Sequence, residues 1–221
     1  MTGNAYGLVV GSKQASSWSL RPWILMRQAG IGFDETFIEL RQPGTRAAIL
    51  KHSPTGQVPL LTHGGLAIWD SLAIAEYLNE RHPELHLWPA DAAARARARC
   101  IACEMHSSYR ELRFGLPMEF SSRGLTPQIN EQCAADIKRI VQIWCETRKT
   151  YGTGGPFLFG TFTIADAMFA PVASRFTTYL PNLAAYGDTG AAEGYRATMM
   201  ALPGMIDWGK AAAAEPPLAA Y

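Results

Sequence analysis

The hydrophobic pattern of this chain changes its period once, in a short stretch that runs from residue 83 to residue 90. Before that stretch, short apolar runs alternate with helical stripes. After it, the strong apolar patterns all repeat with the period of an α-helix. The stretch has prolines near both ends, Pro83 and Pro89, and no periodicity of its own, which is typical of a linker. We therefore predict two domains, 1–82 and 91–221, joined by the linker 83–90.

The first domain is predicted to contain four strands and three helices in the order βαβαββα. Each strand is a short apolar run, and the helices are marked by helical spacing or by a capping residue. His63-Gly64-Gly65 lies between the last two strands and is typical of a hairpin turn. The first half then forms a right-handed parallel unit and the hairpin adds an antiparallel edge, which is a thioredoxin-like arrangement. The predicted strands span 6–10, 37–40, 58–62 and 66–69. The first predicted helix contains the apolar stripe 22–29, the second spans 44–51, and the third begins at 70–71.

The second domain is predicted to be an all-helical bundle, because helical stripes dominate the chain after residue 90. A long helix is expected from about Asp91 to beyond Tyr109. Another is expected to begin at Thr126-Pro127, a capping residue followed by a proline at the first helical position. A third is expected after Gly160, with shorter helices and a tail beyond it. The fold class is therefore α+β with two domains.

Composition and charge exclude several classes of protein. With 48% hydrophobic residues among 221, the chain is too apolar to be disordered. The 20 Lys and Arg residues nearly balance the 19 Asp and Glu residues, so there is no electrostatic footprint for nucleic acid or for an anionic membrane. No apolar run reaches the roughly 18 residues of a transmembrane helix, and the N-terminus lacks the basic region of a signal peptide. We expect a cytoplasmic protein.

The four cysteines do not predict a metal site or a redox centre. Cys100 and Cys103 have the spacing of a zinc or redox pair, but no second pair and no histidine pair lies nearby to complete a zinc site. They also lie inside a predicted helix and not at a strand-to-helix turn, where a redox pair needs the helix N-terminus. We expect buried helical cysteines and no bound metal.

A group of hydroxyl residues follows the first strand, at the predicted start of the first helix. Ser16, Ser17 and Ser19 lie where a helix presents unpaired N–H groups and the positive end of its dipole. One serine at this place is commonly a helix cap, and that interpretation remains open. Three hydroxyls in four positions are more than a cap requires.

Two further motifs have both a structural and a functional interpretation. Val58-Pro59 puts a proline at the entry to a strand, where it is tolerated and can be cis. A cis bond there turns the N–H and C=O of Val58 outward, toward an extended ligand backbone. Asp70-Ser71 opens a helix, so the pair is either a cap or a clamp for a ligand ammonium and carboxylate.

Taken in this order, the motifs resemble the glutathione transferase superfamily, over about residues 6–178. That family combines a thioredoxin-like domain, a catalytic hydroxyl, a Val-Pro-Leu strand entry and a Glu/Asp-Ser helix start with an all-helical domain. Thr163 to Asp166 looks like the family's buried Ser/Thr-x-x-Asp capping box. The segment Ser16–Arg21 is most similar to serine-type, zeta-like bacterial members, whose motif has a cysteine where this chain has Trp18.

The resemblance implies that glutathione is the co-substrate and that the protein activates its thiol as a thiolate for attack on a small hydrophobic electrophile. Ser16 is predicted to hydrogen-bond the sulfur, and Ser17 is the alternative, because adjacent hydroxyls cannot be ranked from sequence. By the same resemblance we expect five residues to bind the glutathione molecule: Ser17, Gln57, Val58, Asp70 and Ser71.

The electrophile pocket is expected to involve Trp18, His106 and Arg113, although a solvated helix face remains an alternative for the last two. The resemblance also implies a homodimer. Two other functions stay open: a non-catalytic glutathione-binding or scaffold protein, and a zeta-type glutathione-dependent cis–trans isomerase like maleylacetoacetate isomerase. The hydroxyl cluster and the Asp70-Ser71 pair favour catalysis, because a scaffold needs neither.

Overall fold

The computed structural model describes residues 5–218, and its elements follow the predicted order. Short 3₁₀ turns lie at 83–85, 152–154 and 184–186. In chain order the elements are β1 (Tyr6–Gly11), α1 (Ser17–Gln28), β2 (Phe33–Ile38), α2 (Thr45–Leu50), β3 (Leu60–His63), β4 (Leu66–Ile68), α3 (Ser71–Arg81), α4 (Ala92–Ser107), α5 (Arg110–Gly115), α6 (Glu131–Tyr151), α7 (Ile164–Tyr179), α8 (Ala191–Met200) and α9 (Pro203–Ala213).

The four strands form one mixed sheet in the order β2-β1-β3-β4. β1 pairs in parallel with β2, whereas β3 is antiparallel to β1 and β4 is antiparallel to β3. Alternate residues of β1 face opposite sides of the sheet: Leu8 and Val10 join the main core, and Val9 packs in a smaller cluster with Ile49 of α2. The predicted parallel unit with an antiparallel hairpin edge is therefore confirmed.

The second strand lies earlier in the chain than its apolar residues suggested. It was predicted at 37–40 and is found at Phe33–Ile38. β2 is an edge strand in which four consecutive residues, 34–37, are exposed, so no apolar run marks its beginning. Its position is decided by pairing with β1, which puts Phe33 opposite Tyr6.

The second domain is a bundle built around α7, in which nearly every residue is buried. α7 packs against α4 and α8 and also against α1 of the first domain, and one continuous core extends through both domains. The predicted capping box is present at its start. Asp166 accepts a hydrogen bond from the backbone N–H of Thr163 at 2.8 Å, and it is completely buried. None of the helices within residues 5–218 is long and apolar enough to cross a membrane.

The long helix expected from Asp91 is interrupted. α4 ends at Ser107 and α5 begins at Arg110, because Tyr109 between them adopts a left-handed conformation with φ of 62°. Arg113 folds back across the break and donates to the carbonyl of Met105 at 2.7 Å, which satisfies a carbonyl in the last turn of α4.

The next helix also begins later than predicted. Thr126-Pro127 does not start it; α6 begins at Glu131, and the side chain of Asn130 caps it by accepting from the N–H of Cys133 at 2.7 Å. Asn130, three residues after the Thr-Pro pair, is thus a competing helix-start signal of similar strength.

The prediction that Cys100 and Cys103 are buried is wrong, although both are helical as predicted. Cys100 and Cys103 are on α4 but are exposed, because the buried face of that helix is formed by residues such as Ala98, Ile101 and Met105. Among residues 5–218, no group of three or more His, Cys, Asp or Glu side chains could hold a metal ion.

Candidate active site

Three motifs that are far apart in the sequence meet at one end of the strands, which forms one edge of the sheet perpendicular to them. β1 ends at this edge, and because β3 runs antiparallel to β1, β3 begins there. β4 runs back toward the same edge and leads directly into α3. The edge borders a cavity of about 640 Å³, whose lining residues are Ala15, Ser16, Ser17, Trp18, Leu40, Ile49, Thr55, Gln57, Val58, Pro59, Trp69, Asp70 and Ser71.

All six residues predicted to bind or activate glutathione line this cavity, and so does Trp18. His106 and Arg113 do not line it; they contact the Trp18 ring instead. The apolar lining residues Leu40, Ile49 and Trp69 were not predicted, because a single apolar side chain in a loop or a short helix carries no functional signal of its own.

Ser16 occupies the N-cap position of α1, but its side chain makes no capping hydrogen bond. Its hydroxyl donates instead to the Oγ of Ser19 at 2.7 Å, and that Oγ also accepts the backbone N–H of Gly11 at 3.1 Å. Ser16, Ser17 and Ser19 are all buried. The simple capping interpretation therefore does not describe Ser16, and Ser19 is a second hydroxyl in contact with it.

The Val58-Pro59 bond is cis, as predicted from the proline at the strand entry. Val58 and Pro59 border the same cavity as the serines of α1. A second cis bond, Trp69-Asp70, immediately precedes α3 and has no sequence signal, since the following residue is not proline.

Asp70 acts as the cap of α3 and also makes a contact between the domains. Its Oδ1 accepts from the N–H groups of Leu72 and Ala73 at 3.0 and 3.3 Å. Its Oδ2 lies 2.8 Å from Nε2 of His106 on α4. About half of the Asp70 side chain remains exposed, so the carboxylate is accessible from the cavity as well.

The indole ring of Trp18 is surrounded by cationic and aromatic groups. The guanidinium carbons of Arg21 and Arg113 lie 4.3 and 4.9 Å from its ring centre, within cation–π range. The imidazole of His106 meets the same ring edge-on at 5.3 Å between ring centres. The cavity wall at Trp18 is therefore backed by positive charge.

Arg21 is buried and only partly satisfied. One nitrogen, Nη1, makes a long contact of 3.5 Å with the hydroxyl of Ser71, whereas Nε and Nη2 have no hydrogen-bond partner among the described residues. Burial, together with the nearby Arg113 and Arg175, lowers the pKa of Arg21 well below its usual value. Burial also lowers the pKa of Arg175 to about 9. Two carboxylates act against these effects in this guanidinium cluster, Asp70 on Arg21 and Asp136 on Arg113, but in both cases burial is the larger influence.

The comparison with known families covers both domains. Residues 15–81 match the family model described as glutathione S-transferase, N-terminal domain, and residues 127–208 match the glutathione S-transferase, C-terminal domain. A solved structure of a glutathione transferase homolog from Burkholderia gl BGR1, with bound glutathione, superimposes with a TM-score of 0.70 at 22% identity and covers 95% of this chain and 99% of that one. That likeness shows the fold.

Curated relatives match over shorter or more divergent segments. A probable maleylacetoacetate isomerase of Caenorhabditis elegans is 30% identical over 100 residues, and the chain spans just under half of that protein's length, 46%. The maleylacetoacetate isomerase of Rattus norvegicus is 25% identical over 178 residues, or 79% of each chain. Because the two family models together match most of the chain and agree with the fold described above, this protein belongs to the glutathione S-transferase family.

Proposed function

We propose that this protein is a glutathione transferase that ionises the glutathione thiol at the start of α1 and directs the thiolate at a small hydrophobic electrophile. The observation that carries the proposal is the meeting, around one cavity, of the α1 serines, Val58 with its cis proline, and Asp70 with Ser71. Glutathione offers a thiol, an extended backbone and an amino-carboxylate end, one chemical group for each motif.

The serine pair Ser16 and Ser19 supports activation of the thiol. Hydroxyl protons rotate, so the 2.7 Å contact between the two side chains can be reversed. Ser19, which accepts the N–H of Gly11, then donates to Ser16, and Ser16 donates to the sulfur. Such a chain of hydrogen bonds polarises each member, and the positive end of the α1 dipole adds to the effect. Ser17 is the alternative donor to the sulfur.

The thiolate then reacts with the electrophile. Its sulfur gives an electron pair to the electrophilic carbon, a C–S bond forms, and the leaving group departs with the electrons of the bond that breaks. Lowering the thiol pKa from about 8.5 to about 6.5 raises the thiolate fraction at pH 7 from about 3% to about three-quarters.

Contacts with the rest of glutathione are proposed for four residues of the first domain. The outward-turned backbone of Val58 pairs with the cysteinyl backbone, and the Asp70 carboxylate accepts from the γ-glutamyl ammonium. Ser71 and the first N–H groups of α3 bind the γ-glutamyl carboxylate, because a helix N-terminus attracts an anion. Gln57 lies beside Val58 in the cavity lining and completes this set.

The electrophile is proposed to bind against Trp18. His106 and Arg113 contact that ring and hold it in place from the helical domain. Leu40 and Ile49 also line the cavity and make its wall partly apolar, which suits a small hydrophobic substrate.

A specific observation favours a second reaction, a glutathione-dependent cis–trans isomerisation of an acidic substrate. Arg21 has two buried nitrogens that find no hydrogen-bond partner within residues 5–218, and it lies near Arg113 and Arg175, so an anionic substrate group near Trp18 would find complementary charge. Two relatives are named as maleylacetoacetate isomerases. In this reaction the thiolate adds to a conjugated double bond, the single bond rotates, and elimination restores the thiolate, so glutathione is not consumed.

Assembly, location and physiological role form the rest of the proposed function. We propose a homodimer in the cytosol, where glutathione is kept reduced, and a role in detoxification. A glutathione-binding scaffold without turnover is the competing function, because the same fold serves unrelated roles.

One titration and two turnover assays separate these functions. The ultraviolet absorbance of thiolate in the protein–glutathione complex is followed against pH, beside conjugation of a chlorinated dinitrobenzene and isomerisation of maleylacetoacetate. A thiolate pKa near 6.5 with conjugation is expected. Isomerisation without consumption of glutathione assigns the second reaction. Binding with an unshifted thiol pKa and no turnover leaves the scaffold function, and absence of binding refutes the whole proposal.

A further inference from the structure

The loop between β1 and α1 donates hydrogen bonds to a carboxylate from the C-terminal part of the chain. The backbone N–H groups of Lys13 and Gln14 donate to the two oxygens of Glu215, at 2.7 and 3.2 Å. Glu215 lies just beyond the end of α9 and is about 200 residues away in sequence. Its partly buried carboxylate therefore satisfies two successive backbone donors of this loop.

The carbonyl groups of the same two loop residues also pair with the second domain. The indole N–H of Trp208 donates to the carbonyl of Lys13 at 2.9 Å, and the N–H of Phe120 donates to the carbonyl of Gln14 at 3.1 Å. The Gln14 side chain accepts from both the N–H and the hydroxyl of Ser121, at 3.0 and 2.8 Å. The helical domain thus holds every backbone polar group of Lys13 and Gln14.

The part of the chain that carries Glu215 is itself rigidly packed. α9 packs closely against α1, since a side-chain carbon at Gly204 would come within 2.6 Å of Ile24. Trp208 is completely buried and its ring meets Trp23 of α1 at 5.1 Å between centres. Glu215 follows this helix by two residues, so it is anchored to the same packed unit that holds the start of α1.

The position of Ser16 depends on this loop. Gln14 is only two residues before Ser16, and the N–H groups of Ala15 and Ser16 both bond to the carbonyl of Ser12, at 3.1 and 2.8 Å. A displacement of Lys13 and Gln14 therefore moves the Ser16 hydroxyl relative to Ser19. Because catalytic geometry tolerates little displacement, even a small one changes the hydrogen bond to a bound sulfur.

We propose that Glu215 is a positioning residue for thiol activation: its carboxylate holds the loop at Lys13 and Gln14 and thereby sets the place of the Ser16 hydroxyl. The inference rests on the proposed function for its catalytic part, because Ser16 must act on the sulfur. The geometric part, that Glu215 restrains the loop, is independent of any reaction.

The test compares Glu215→Gln with Asp207→Asn. The glutamine keeps the shape of the side chain but offers only one oxygen, so one of the two loop N–H groups loses its acceptor. Asp207, on the same α9, is half-exposed and contacts only Arg27, at 3.5 Å, among the ion pairs of the described residues. Its substitution removes a carboxylate from α9 without touching the loop. Ser121→Ala, which removes one donor to Gln14, serves as a second loop variant.

Two independent measurements are made on each protein. Hydrogen exchange followed by mass spectrometry reports on the amides of residues 12–16, which we expect to exchange faster in Glu215→Gln and unchanged in Asp207→Asn. The thiolate titration of bound glutathione should give a pKa that is higher by about 0.5–1 unit in Glu215→Gln. At pH values below that pKa, the rate of the conjugation reaction should be lower by about three- to tenfold. The Kd for glutathione, measured at about pH 5.5 where the bound thiol is protonated in both proteins, should change by less than about twofold, because other residues bind the molecule.

The outcomes are distinct. Faster exchange together with a raised thiolate pKa supports the positioning role, and Ser121→Ala should show the same changes in smaller amount. Faster exchange with an unchanged thiolate pKa overturns it, because the loop would then be restrained without consequence for the sulfur. Unchanged exchange in both loop variants overturns the restraint itself. A wild-type protein that binds glutathione without ionising it refutes the proposed function and not the restraint, which the exchange data decide separately. If Glu215→Gln does not fold, the same two criteria are applied to Ser121→Ala.

Discussion

Nε2 of His106 lies 2.8 Å from Oδ2 of Asp70, so a side chain of the helical domain contacts the residue that caps α3 in the first domain. The other oxygen of Asp70 forms the cap, and half of the side chain stays exposed. One carboxylate thus serves a helix end, a domain contact and, in the proposed function, the ammonium group of glutathione. These three roles can be separated by substitution.

We predict that Asp70→Asn weakens glutathione binding about ten- to hundredfold, because a charge-assisted hydrogen bond to an ammonium group is worth roughly 1.5–3 kcal/mol. The amide oxygen keeps an acceptor for the α3 N–H groups, so the unfolding free energy should change little. Calorimetric titration with glutathione gives the affinity, and thermal unfolding checks the fold. His106→Gln is the matched control and should change the affinity far less. An unchanged affinity in Asp70→Asn would mean that Asp70 is only a cap.

We predict that Ser16→Ala raises the pKa of the bound glutathione thiol by one to two units, roughly the worth of one charge-assisted hydrogen bond. Ser19→Ala should raise it by a smaller amount, because Ser16 would keep its own proton but lose its polarising neighbour. Absorbance of the thiolate against pH measures both.

The same titration on Ser17→Ala decides between adjacent hydroxyls. If Ser17→Ala moves the pKa and Ser16→Ala does not, the donor is Ser17 and the mechanism is otherwise unchanged. If neither variant moves it, the serine mechanism is wrong and the N–H groups of α1 are the remaining source of stabilisation.

We predict that Arg21→Met folds with an unfolding free energy equal to or about 1 kcal/mol above that of wild type, because it removes two buried donors for which the described part of the chain offers no partner. If the guanidinium cluster serves an anionic substrate, kcat/KM for a carboxylate-bearing electrophile falls at least about tenfold, whereas that for a neutral one changes little. Equal losses for both substrates would contradict an electrostatic role for Arg21.

We predict a pH dependence of stability that is specific to Asp166. Burial raises its pKa from 3.8 to about 6, so the folded protein holds this proton more tightly than the unfolded chain does. Stability from this group is fully present below pH 3.8 and is lost as the pH rises through 6, by about 3 kcal/mol in all. Denaturant unfolding of wild type and Asp166→Asn between pH 4 and 7 should show this decline only in the wild type. Parallel profiles would contradict it.

We predict a dimer of two identical chains. Sedimentation velocity at micromolar concentration should give a species of twice the mass of the chain, and dilution should reveal any dissociation. A single species with the mass of one chain across that range would refute the homodimer.

Much of the fold could be predicted because the signals are local. A change of period at residue 83, a hairpin turn at Gly64-Gly65 and a Thr-x-x-Asp box at Thr163 each specify a structure through residues a few positions apart. The cis bond at Val58-Pro59 was also predictable, because proline makes the cis isomer much less costly than it is before other residues.

Other features were decided only by the tertiary structure. The bounds of β2 come from its pairing with β1, and the break at Tyr109 comes from a single left-handed residue. The contact of His106 with Asp70 and that of Glu215 with the loop at Lys13 join residues that are far apart in the chain. No periodicity or cap marks such pairs, because a polar side chain finds a distant partner only after α7 and α9 have packed against α1 and brought the two segments together.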